Sequence, residues 1–157
     1  MSSAHPDFAH IDAESVTDSD LLQLMRSSPA EASKTLNGEL LEVDSARGIA
    51  RFKFEVVPAF CHSQGKICQG GFLTGMVDTA MATAAIARGK LSVAVPTLEI
   101  KVSFFEAMGP GIRFAEGRVQ RWGGSIGFLD GDLKDEKGRL IVHSTSTVKI
   151  VRQKAKA

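Results

Sequence analysis

Residues 67–87 read ICQGGFLTGMVDTAMATAAIA, and Asp78 is the only charged side chain among them. A run this apolar, opened by Gln69-Gly70-Gly71, predicts a long helix buried on more than one side. At about 100° per residue, Leu73, Met76, Val77, Ala80 and Ala84 share one face. Gly75, Asp78, Ala82 and Ala85 fall on the opposite face. The first face should cover a sheet, and the small-residue face should meet a partner chain or a ligand. A lone carboxylate in such a helix works against stability, because taking it out of water unpaired costs several kcal/mol. Carboxylates retained in that way are candidates for chemistry.

Upstream, Leu36 to Val56 changes period. GELLEV (38–43) is followed by the turn-like DSARG (44–48), and then Ala50, Phe52, Phe54 and Val56 alternate with Arg51, Lys53 and Glu55. This is a hairpin with one apolar face. Thr17-Asp18-Ser19-Asp20 supplies helix-capping residues before LLQLMRSS, a short helix that ends near Ser28 and is broken by Pro29. Residues to about His10 read as loosely attached, and Pro58 to Lys66 reads as a loop.

Downstream of the helix come strands. TLEIKVSFF (97–105) places Leu98, Ile100, Val102 and Phe104 on one face. GIRFAEGRVQR (111–121), SIGFLDGDLKD (125–135) and RLIVHSTSTVKIV (139–151) follow, with a turn at Asp135–Gly138 between the last two. Strands joined by short turns imply an antiparallel sheet, and the one long helix must pack on its face. The fold class is α+β.

The chain has 157 residues, 43% of them hydrophobic, which suits one core. Its 19 basic and 18 acidic residues nearly balance, so no nucleic-acid footprint is visible. Cys61 and Cys68 are too few for a disulfide scaffold, match no zinc spacing, and read as packing residues. The N-terminal sequence lacks a signal-peptide pattern, so a reduced, cytoplasmic setting is expected. The 67–87 run has the length of a membrane span, but Asp78 at its centre argues against one.

The order of strand, strand, long helix and four strands resembles the hotdog fold, and more specifically the PaaI-like acyl-CoA thioesterases. The residues that carry the resemblance are CHSQGKICQGG (61–71), GGFLTGMVDTA (70–80), TLEIKVSFF (97–105) and GDLKDEKGRLIVHSTST (131–147). It extends from about Leu36 to Val151. It implies an antiparallel sheet wrapped around one central helix over residues 36–157, with residues 1–35 as an N-terminal extension. It also implies that the Gly70 amide stabilises an oxyanion, that Asp78 is the catalytic carboxylate and that Thr97 assists. Where this family usually has His-Gly-Gly, this chain has Gln69. The residue that positions water or substrate before the glycines falls on Ser63, or on His62 with one extra loop residue, with Gln64 adjacent and Gly71 next to the oxyanion donor. The resemblance further implies a homodimer or dimer of dimers, an acyl-CoA substrate, and no metal or redox cofactor.

The residue types suit that chemistry. Thioester hydrolysis builds negative charge on the carbonyl oxygen, and free amides at a helix N-terminus can receive it. Asp78 can act as a general base on water or as a nucleophile. Gly70 and Asp78 lie about 12 Å apart along one helix, so a single carbonyl cannot touch both within one chain. Two other readings use the same fold: a non-catalytic acyl-CoA-binding protein, and a hydratase. The hydratase pairs a histidine with its carboxylate, and the 69–87 helix has no histidine.

Overall fold

The computed structural model describes residues 15–152. The expectation for residues up to His10 lies outside them. Thr17 caps helix α1 (Asp18–Ser27) in a reciprocal box with Asp20, as the sequence predicts. A second short helix, α2 (Glu31–Thr35), follows Pro29 and was not expected. The hairpin is β1 (Gly38–Asp44) and β2 (Ile49–Val56).

The expected loop at Pro58–Lys66 is more structured than its sequence suggests. It holds a single 3-10 turn at Pro58–Phe60, then a ribbon of β3 (Cys61–His62) and β4 (Ile67–Cys68). Ser63 and Gln64 take positive φ values of 53° and 61° in the turn between them. The ribbon is pinned by stacking of Phe60 on Phe72, with ring centroids 4.5 Å apart.

Helix α3 spans Gly70–Arg88. After the short β5 (Val93–Ala94) come β6 (Thr97–Phe104), β7 (Gly111–Trp122), β8 (Ile126–Asp135) and β9 (Leu140–Lys149), with β10 (Val151–Arg152) pairing β5. The six-stranded sheet runs β1-β2-β7-β8-β9-β6, antiparallel throughout. A single antiparallel sheet wrapped around one long helix is the hotdog architecture.

Two glycines set how close the helix comes to the sheet. A Cβ on Gly117 would lie 2.3 Å from the Ala80 carbonyl carbon, and one on Gly131 would lie 2.8 Å from Val77 Cγ2. The helix backbone therefore rests almost directly on β7 and β8. Leu73, Met76, Val77, Ala80 and Ala84 are all buried against the sheet, as their spacing predicts. Leu21 of α1 is fully buried in the same core, so the N-terminal helices are packed onto the body.

The opposite helix face differs from expectation in part. Ala85 is fully buried, and Gly75 lies under Leu36, whose Cδ1 would be 3.3 Å from a Cβ there. The chain's own N-terminal segment thus covers some of the surface expected to await a partner.

β6 is an edge strand, paired only with β9. Ile100 and Val102 pack against the core, but the apolar residues at its two ends are not covered within the chain: Leu98 is 58% exposed, Phe104 49%, and the adjoining Phe105 57%. An edge strand with unpaired backbone groups and exposed large side chains is a template for pairing with another strand.

Candidate active site

α3 places both halves of the expected chemistry. At its start, Gln69 is the N-cap in extended conformation, and its side chain caps nothing. The amides of Gly70 and Gly71 have no hydrogen-bond partner among the described residues, since the first turn of a helix leaves its N–H groups free. Two bonds hold the approach in place: Cys68 N–H donates to Met108 O (2.7 Å), and Gln69 N–H donates to Phe60 O (2.9 Å). The helix start is therefore fixed while its amides stay open, with the dipole of the long α3 behind them.

Two turns on, Asp78 is partly buried beneath β6. Thr97, the first residue of that strand, donates its Oγ1 hydrogen to Asp78 Oδ1 at 3.2 Å. Burial pushes the Asp78 carboxyl above the ordinary carboxylate range, and the Thr97 hydrogen bond opposes that shift. The neighbouring Thr79 hydroxyl does not bond this carboxylate. Thr79 donates instead to Gly75 O at 2.8 Å, one turn back.

Within one chain, the structure brings Thr97 to Asp78 and leaves the other candidates apart. Gln69, Gly70 and Gly71 are at the far end of the ten-residue stretch 69–78. His62, Ser63 and Gln64 sit exposed at the ribbon turn, where the His62 Nδ1 and Ser63 Oγ share a hydrogen bond of 2.9 Å. Gly70 instead lies by the other end of β6. A Cβ on it would be 3.0 Å from Phe104 Cζ. So β6 touches Asp78 at its first residue and Gly70 at its last.

A cleft of about 680 Å³ lies on another flank of α3, between Thr79, Thr83 and Ile86 and the N-terminal helices. Asp78 does not line it.

His143 is held by Asp132, Nδ1 to Oδ1 at 2.8 Å. Because Gly131 faces α3, its neighbour Asp132 points to the other side of the sheet. His143 therefore does not stand beside Asp78. Among the described residues no group of three or more His, Cys, Asp and Glu could hold a metal ion, and no helix is long and apolar enough to cross a membrane.

Family comparison matches residues 65–142, the segment holding the helix and β6, to the Thioesterase superfamily. The match spans 78 of the chain's 157 residues and supports a thioesterase-type hotdog protein. Its hotdog fold is similar to that of PaaI from the phenylacetic acid degradation operon of Escherichia coli, at 17% identity and TM-score 0.75, covering 86% of this chain and 96% of that one. A phenylacetic acid degradation-related protein from Ralstonia eutropha is 26% identical, with TM-score 0.74 over 82% of this chain and 98% of that one. A thioesterase from Haemophilus influenzae matches at 19% identity and TM-score 0.73, covering 87% and 92%. No curated protein matches the sequence. The chain is thus similar in fold to PaaI, and Asp78 and the Gln69-Gly70-Gly71 helix start both lie inside the segment that matches the thioesterase model.

Proposed function

We propose that this protein hydrolyses an acyl-CoA thioester to the free acid and CoA, at a site built by two protomers. The observation that carries the reading is the placement of Asp78 and Gly70 at opposite ends of β6. Edge-to-edge antiparallel pairing of two β6 strands about a two-fold axis near their midpoint sets Thr97 of one beside Phe104 of the other. Asp78 then approaches Gly70 of the partner subunit. The exposed Leu98, Phe104 and Phe105 are buried by the same step.

In this arrangement the Gly70 amide receives the developing oxyanion, with Gly71 beside it. Asp78 acts as general base toward water, or as nucleophile toward the carbonyl. Thr97 holds the carboxylate in place, and Gln69, no longer needed as a cap, is free to face the substrate. His62, Ser63 and Gln64 form the outer wall through which the CoA arm enters. The 69–87 helix carries no histidine to pair with Asp78, which favours hydrolysis over hydration. The acyl group is left open among aryl-acetyl, benzoyl and medium-chain types, and assembly extends to a dimer or a dimer of dimers.

The test is release of free thiol from a panel of acyl-CoAs spanning those types, run on protein whose oligomeric state is measured in parallel. Turnover of at least one acyl-CoA by a dimer or larger assembly is expected. A folded dimer that leaves the whole panel intact would end the enzymatic reading, and a monomer that turns over would end the two-protomer site.

A further inference from the structure

Cys61 and Cys68 are directly opposite each other in the β3–β4 ribbon. Their pairing type follows from the backbone bonds. Gln69 N–H donates to Phe60 O, one step outward, while Cys68 N–H turns away to Met108 O. The cysteines are therefore a non-hydrogen-bonded pair, the antiparallel arrangement in which Cα atoms come closest, about 4.5 Å apart, with side chains on the same face. That separation lies inside the range a disulfide spans, about 4.4–6.8 Å. Both thiols are free.

We propose that Cys61 and Cys68 are a reversible dithiol–disulfide site that locks the ribbon feeding the start of α3. Neither residue belongs to the Asp78 chemistry. Cys68 is buried and Cys61 only half-buried, which sets the order of events. The Cys61 thiolate attacks a low-molecular-weight disulfide, forming a mixed disulfide and releasing one thiol. The Cys68 thiolate then attacks Cys61 Sγ, the mixed disulfide breaks, and the second thiol leaves. Overall one protein dithiol and one small disulfide become one protein disulfide and two small thiols. Burial, with Cys61 beside it, pushes the Cys68 thiol up to about 11. The second step is therefore slow at neutral pH and quickens as pH rises, because the thiolate is the attacking species.

Closing the eight-residue loop between the cysteines constrains the unfolded chain. It also fixes β4, which leads directly into Gln69 and Gly70, so oxidation bears on the oxyanion end of the proposed site.

The experiment incubates the full-length protein with glutathione disulfide across pH 7–9 and reads intact mass and thermal melting. The expected product is about 2 Da lighter, with no retained glutathione, reverts with dithiothreitol, and melts about 5–10 °C higher. Cys61→Ser should give no 2 Da loss and no rise in Tm. Unmodified protein, a glutathione adduct on Cys61 that persists at pH 9, or a bond between two chains would overturn the proposal. So would an intramolecular bond that leaves Tm unchanged or lowers it. None of these readouts uses a thioester, so the outcome is independent of the proposed activity.

Discussion

If Asp78 works with the Gly70 amide of its partner, two differently disabled chains must repair each other. The first is Asp78→Asn, which keeps the shape and the Thr97 contact but removes the base. Loss of a positioned base costs about 10²–10⁴ in rate. The second is Gly70→Pro, which removes the N–H itself. Gly70 is the first helical position, where proline is tolerated. Gln69 before it already has φ −68° and ψ 135°, the extended geometry a pre-proline residue requires. The added Cβ meets only the tip of the exposed Phe104 ring, at 3.0 Å. Losing one oxyanion donor costs about 10²–10³ in rate, or about 2.7–4 kcal/mol of barrier.

Each homodimer should therefore retain about 1% or less of wild-type turnover. Co-expression in equal amounts gives about half heterodimers by random assortment in a two-fold dimer. Each heterodimer has one site with both groups intact and one with both missing. One working site in half of the dimers amounts to about a quarter of wild-type turnover, at least 25-fold above either parent. Differently tagged chains, with the mixed dimer isolated by sequential affinity steps, raise the expectation to about one half. A mixed dimer, verified by native mass spectrometry, that stays near the parental level would refute the shared site. In that case each site would draw both groups from one chain, and each chain lacks one.

Two further outcomes follow from burial and packing. Because the folded Asp78 pKa is raised, its contribution to stability is complete below the unfolded value near 3.8 and is lost as pH rises through the folded one. Asp78→Asn should thus melt above wild type at pH 7, with the gap closing on acidification, while wild-type kcat falls through the same pH interval as the base protonates. Equal melting temperatures at pH 7 would contradict the burial cost. Gly117→Ala drives a Cβ to 2.3 Å from the α3 backbone at Ala80, which cannot turn aside. A loss of about 1–3 kcal/mol and several degrees in Tm is expected, measured by denaturant and thermal unfolding.

What could be read from sequence depended on how long each signal was. The buried helix was legible because 21 residues contain one charge, and its sheet-facing set of Leu73, Met76, Val77, Ala80 and Ala84 follows from period alone. Helix α2 was not, since five residues between Pro29 and Leu36 complete little more than one turn. The β3–β4 ribbon escaped for the same reason, because two-residue strands have no period to detect. The pairing of Cys61 with Cys68 was hidden with it. For β6, alternation was visible, but alternation cannot say what covers the apolar face. Leu98 and Phe104 look like core residues in sequence and lie on an open edge in the fold.

The Thr97–Asp78 contact shows the limit in another form. Nothing in the spacing of residues 78 and 97 joins them; the family resemblance singled out both, and the fold supplies the hydrogen bond. That bond also explains how a buried carboxylate is tolerated. One hydroxyl donor lowers the pKa, yet burial outweighs it. A fully satisfied carboxylate would be too weak a base, and an unsatisfied one would cost the fold more. Asp78 is bonded to the first residue of β6, whose free edge is where a second chain docks in the proposed dimer. In the proposed two-protomer site, stability and activity converge on one demand: the docking event that covers Leu98 and Phe104 also brings the partner's Gly70 amide to the carboxylate.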